Sequence, residues 1–132
     1  MGIFSLLFGK PKRSRAGALS GADRELIKRE WLEIAQLLGL GDPSGRKEAL
    51  IRADKALDLV LRRVSTGETM GERLKNAEKS FSDYAIYDQL WKAHKVRNAL
   101  VHETGFEPPH YALENAVQQI RVGLKDIGAL RR

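Results

Sequence analysis

Residues 82–109 read SDYAIYDQLWKAHKVRNALVHETGFEPP, and the period of this stretch decides the fold. Tyr84, Tyr87, Leu90, Trp91, Leu100 and Val101 recur at the three- and four-residue steps of one helical face, so the spacing predicts a long helix starting near Ser82. Gly105 can end it, and a residue before a proline is pushed toward extended backbone. Four polar residues stand out near its end. His94, Asn98 and His102 form an i, i+4 column, and Arg97 lies at the next angular position beside Asn98.

The same period extends in both directions. Leu26, Ile27, Trp31, Ile34, Leu37 and Leu38 predict a helix over about residues 20–38, with Ser20 and Asp23 as its start signal. The stretch GLGDPSG at 39–45 interrupts it, and Asp42 followed by Pro43 opens a second helix reaching about Val64. Leu50, Ala53, Leu57, Val60, Leu61 and Val64 form its apolar stripe, opposite a charged face. Thr69 to Glu72 matches a capping box for a short third helix ending near Lys79, with Met70, Leu74 and Ala77 facing inward. After the 82–102 helix, Leu113, Ala116, Val117, Ile120, Leu124 and Ile127 predict a last helix over about residues 109–130. No segment alternates in the manner of a strand. The expected fold is all-α, an up-and-down bundle of four long helices plus one short helix.

Chain length allows one compact domain, expected over residues 21–132. With no cysteine, the sequence excludes a disulfide framework, a thiol nucleophile and a Cys-ligated zinc site, and it fits a cytoplasmic setting. The formal net charge is +6, but four of those charges, Lys10, Lys12, Arg13 and Arg15, lie in residues 1–20. Charge on the remaining domain is therefore only mildly basic, which supports an anionic partner such as RNA without establishing one. Residues 1–20 read as a basic, flexible tail with a short apolar start. Its run Ile3, Phe4, Leu6, Leu7 and Phe8 is too short to span a bilayer, and its basic residues follow the apolar run where a signal peptide would put them first. Membrane contact through residues 3–8 is the alternative to a solvated tail.

The polar residues on the fourth helix have a coherent chemistry. Histidine moves protons near neutrality, arginine matches phosphate oxygens with a permanent charge, and asparagine can orient a neighbouring ring. Together they suit attack of an RNA 2′-hydroxyl on the adjacent phosphodiester, with a base to remove its proton and a cation to stabilise the extra negative charge. At about 100° per residue, however, Arg97 and His102 differ by roughly 140° around a straight helix. Both can address one phosphate only if the helix unwinds or two chains contribute.

The sequence RNALVH at 97–102 resembles the R-x4-H motif of the HEPN superfamily, small α-helical domains in which a polar residue commonly follows the Arg. The resemblance extends to the order of helices over about residues 22–130, including ADKALDLVLRR at 53–63. It implies a homodimer with a composite site and a metal-independent endoribonuclease using no cofactor. His102 would be the proton-transfer residue, Arg97 the phosphate ligand and Asn98 the orienting group, with His94 and Lys95 as further substrate contacts. Products would carry a 2′,3′-cyclic phosphate and a 5′-hydroxyl. Other members are catalytically silent modules that bind a nucleotide, RNA or protein. Toxin, defence or stress roles are implied, with an antitoxin or nucleotidyltransferase partner. Members neutralised by a nucleotidyltransferase carry Tyr two residues after the motif His, and this chain has Thr104 there.

Plainer readings apply to other residues. His94 reads also as a satisfied interior histidine, and Arg97 as a partner of Glu103 or Asp88. His110 is expected at the surface start of the last helix. Asp54 and Asp58 could in principle share a metal, but Arg52, Lys55 and Arg62 nearby favour surface ion pairing. Trp31, Trp91, Tyr84 and Tyr87 are expected in the core or at a dimer interface.

Overall fold

The computed structural model describes residues 19–131. Among these residues are five α-helices and one 3-10 turn, with no strand: α1 (Gly21–Gly39), α2 (Pro43–Val64), α3 (Met70–Asn76), the 3-10 turn Glu78–Ser80, α4 (Tyr84–His102) and α5 (His110–Asp126). The apolar and basic tail residues 3–15 lie outside the described part of the chain.

Helix starts follow from side-chain caps, which satisfy backbone N–H groups that have no partner in the first turn. Ser20 Oγ accepts from Asp23 N and Asp23 Oδ2 accepts from Ser20 N, both at 3.0 Å, closing a capping box. Asp42 Oδ1 accepts from Gly45 N at 2.6 Å with Pro43 in the first helical position. Thr69 Oγ1 accepts from Glu72 N at 3.1 Å, but the Glu72 carboxylate accepts from Glu68 N instead of closing the expected box. Asp83 caps α4, which begins two residues after the expected Ser82.

Two helices end earlier than their periodicity suggests. α3 stops at Asn76 and tightens into the 3-10 turn, keeping Leu74 and Ala77 buried. α5 stops at Asp126 because Gly128, at φ 87°, turns the chain: Gly128 N donates to Lys125 O and Ala129 N to Leu124 O. These two bonds are those of a Schellman ending, which a left-handed glycine permits. The turn folds Ala129 back into the core.

Ion pairs and hydrogen bonds set the helix directions. Arg63 with Asp23 at 3.1 Å and Arg52 with Glu30 at 2.8 Å run α1 antiparallel to α2. Ser82 N donates to Asp126 at 2.8 Å, joining the start of α4 to the end of α5. Arg46 meets Glu114 at 3.0 Å, so α2 and α5 lie with their N-terminal ends together. Consecutive long helices are thus antiparallel, as an up-and-down bundle requires, while α2 and α5 form a close pair flanked by α1 and α4.

α2 is the central element, packing on α1, α3, α4 and α5. Its Leu50, Ala53, Leu57, Val60 and Leu61 are fully buried, together with Ile27 and Ile34 of α1, Leu90 of α4, and Val117, Ile120 and Leu124 of α5. Each Leu, Ile and Val among them contributes roughly 1.5–3 kcal/mol by leaving water. Gly45 is needed at the α1–α2 junction, where a Cβ would lie 2.7 Å from the Leu37 carbonyl oxygen and from Asp42 Oδ1.

Three apolar residues assigned to buried stripes are exposed. Leu26 is 40% accessible because α1 buries only the side that meets α2, leaving its other side open. Tyr84 and Val101 sit in the first and last turns of α4, beyond the packed middle of that helix, and are 66% and 46% accessible. Tyr87 is buried, Trp31 and Trp91 pack partly against the core, and His110 is an exposed helix start. No helix among the described residues is long and apolar enough to cross a membrane.

Candidate functional site

The middle of α4 meets α2 through polar groups. Asp54 lies within the apolar stripe of α2, at 2% accessibility, because it occupies the angular position shared by Leu50, Leu57 and Leu61. Both its carboxylate oxygens are 3.1 Å from His94 Nδ1. His94 Nε2 is 3.3 Å from Asn98 Nδ2, and Arg97 Nη1 donates to Asn98 Oδ1 at 3.0 Å. Arg97 Nε lies 3.5 Å from Asp54 Oδ2, close enough for an ion pair but without a hydrogen bond.

The direction of every bond follows from Arg97. A guanidinium has only donors, so the Asn98 atom it meets is the carbonyl oxygen. The amide nitrogen then faces His94 Nε2 and donates to it. His94 accepts on Nε2 and donates from Nδ1 to Asp54, which fixes its tautomer. Trp91 packs edge-on against the His94 ring at a centroid distance of 6.3 Å. The result is a continuous Arg97–Asn98–His94–Asp54 chain that ends in a buried carboxylate and begins at a guanidinium whose side chain is 30% accessible.

Of the expected site residues, α4 brings His94, Asn98 and Arg97 together. His102 is elsewhere: it is the exposed last residue of α4, and its imidazole has no hydrogen-bond or ion-pair partner among the described residues. Lys95 is exposed and outside the network. The helix stays regular through His102, with Glu103 N still donating to Ala99 O, so a local unwinding does not bring Arg97 and His102 to one point.

Asp54 corrects the expectation of a surface ion pair. Arg52 turns to Glu30 and Glu33, and Arg62 to Asp58, which also takes Arg73. Asp54 and Asp58 therefore serve different partners. The signal for Asp54 was present in its spacing from Leu50, Leu57 and Leu61. Nor does Arg97 pair with Glu103 or Asp88; Asp88 is taken by Lys92 at 3.1 Å.

No protein-family model matches the sequence, and neither a curated protein nor a solved structure is significantly similar to it.

Proposed function

We propose that the chain is a HEPN-like endoribonuclease that cleaves RNA without metal, in the cytoplasm, at a site shared by two copies of itself. One observation carries the reading: α4 holds Arg97 by a built network on one side and ends on another in an exposed His102 that has no partner among the described residues. A second chain supplies the missing half of each site, which resolves the roughly 140° separation around the helix.

In this reading the His102 imidazole of one chain removes the 2′-hydroxyl proton, and the 2′-oxygen attacks the adjacent phosphorus. The bond to the 5′-oxygen breaks as that oxygen takes a proton from solvent water, leaving a 2′,3′-cyclic phosphate and a 5′-hydroxyl. Arg97 stabilises the additional charge on the nonbridging oxygens. Asn98 aims the guanidinium, while His94 and Asp54 hold Asn98 and Arg97 from behind. An antitoxin or nucleotidyltransferase as partner belongs to the same reading.

A second reading has its own observation. The buried Asp54 carboxylate offsets the Arg97 charge within one chain, and this suits a silent HEPN-like module that binds a nucleotide, RNA or protein without cutting.

The test incubates the full-length protein with mixed-sequence RNA in chelator. Wild type should cut and leave cyclic phosphate ends, and His102→Ala and Arg97→Ala should each lose cutting by at least about 100-fold. Cutting that persists in both variants overturns the proposal. Binding without cutting by wild type selects the second reading.

A further inference from the structure

A groove of about 1180 Å³ runs between α1 and the end of α5, sharing no residue with the Arg97 network. It exists because α1 buries only its α2-facing side. The opposite face, read at three- and four-residue steps through Arg24, Lys28, Trp31, Leu32, Ala35 and Leu38, is left to line the groove.

The groove is polarised along its length. Toward the start of α1 it is basic: Arg24 and Lys28 stand with Arg121 and Lys125 of α5 and with Arg131. Glu25 is the one carboxylate lining it. None of these five cations has an ion-pair partner among the described residues, although Arg46, Arg52, Arg62, Arg63 and Arg73 elsewhere all do. Toward the end of α1 the lining turns apolar, through Trp31, Leu32, Ala35 and Leu38, with Leu32 60% accessible.

We infer that this groove docks an acidic amphipathic helix of a partner protein. Its volume exceeds the range of about 300–1,000 Å³ typical of small-molecule pockets. Cations without an ion-pair partner among the described residues, Arg24 among them although its Nε donates to the Gly128 carbonyl at 3.0 Å, call for carboxylates at one end, and the apolar end calls for a hydrophobic stripe; a helix carrying both satisfies the whole length. RNA matches the basic end alone. A second copy brings a chain of net charge +6, and the chain's own residues 1–18 bring Lys10, Lys12, Arg13 and Arg15 with no acid. Charge opposes both.

The experiment uses full-length protein and a synthetic helical peptide with a leucine stripe flanked by glutamates, read by the indole N–H resonances of the two tryptophans. Trp31 should shift on titration while Trp91, outside the groove, stays in place. Lys28→Glu with Arg121→Glu should weaken binding at least tenfold, keep the helical circular dichroism of wild type, and gain affinity for the same peptide carrying lysines. No Trp31 shift with the acidic peptide overturns the inference, as does an equal shift at lower concentration of a mixed-sequence RNA oligonucleotide. A Trp31 shift with rising protein concentration alone assigns the groove to a second copy. A shift produced by Phe4→Ser with Leu7→Ser assigns it to the chain's own N-terminal segment. Either result likewise overturns the inference.

Discussion

Asp54 and His94, forty residues apart in sequence, form a buried hydrogen-bonded pair at 3.1 Å that joins α2 to α4. Removing the carboxylate leaves a buried imidazole donor and an uncompensated guanidinium. Breaking a buried charge pair costs about 3–5 kcal/mol, and the partial accessibility of Arg97 moves Asp54→Ala to the lower end, about 3 kcal/mol. Urea unfolding measures it. The double variant Asp54→Ala/His94→Ala should cost less than the sum of the singles by about 1 kcal/mol, since the two share one bond. Strict additivity would refute the pairing.

Gly45→Ala should destabilise the protein by about 1–3 kcal/mol, although alanine is intrinsically the better helix former. The added methyl meets a backbone carbonyl at Leu37, which cannot rotate away as a side-chain tip could. Gly39→Ala is the control, because a Cβ there meets nothing within 4 Å. Comparable losses in thermal melts of the two variants would contradict this account of the junction.

Asp23 should contribute an acid-sensitive part of the stability. The Ser20 backbone N–H, followed by the Arg63 guanidinium, holds its carboxyl below the ordinary carboxylate range, with burial opposing. A carboxyl depressed in the folded state stabilises above its unfolded pKa, and the contribution is lost as pH falls through the folded value. Asp23→Asn should therefore lower stability near neutral pH and flatten the acid limb of the stability profile. Parallel profiles for wild type and variant would argue against this role.

Complementation separates a shared site from a site within one chain. Arg97→Ala and His102→Ala proteins, co-refolded in equal amounts, form mixed dimers in half of the population. Each mixed dimer has one site with both residues intact if these come from different chains, so about one quarter of wild-type RNA cutting should return. No recovery in verified mixed dimers would place both residues of a working site on the same chain.

Much of the bundle was legible because its signals are local. Ser20, Asp42 and Thr69 act through hydrogen bonds spanning three residues, and the stripes of α2 and α5 repeat over many turns. Periodicity, however, counts turns and does not count neighbours. Leu26 fits the α1 stripe but is exposed, because α2 is the main element packed on that helix. The early end of α5 depends on a left-handed turn at Gly128 that the continuing apolar pattern to Leu130 concealed. Arg97, Asn98 and His94 are legible as a group, whereas the basic sequence neighbours of Asp54 favour a surface ion pair. Its angular alignment with Leu50, Leu57 and Leu61 outweighs those neighbours.

The central position of α2 also orders how the molecule opens. α1 can detach by losing one helix contact, and the α4–α5 pair can loosen on the other flank, but α2 is released only when both flanks have gone. Its backbone amides in the Leu50–Leu61 segment should therefore be the slowest to exchange with solvent deuterium. Asp54 sits in the middle of that segment, so the guanidinium at the surface is tethered, through Asn98 and His94, to the last part of the chain to unfold.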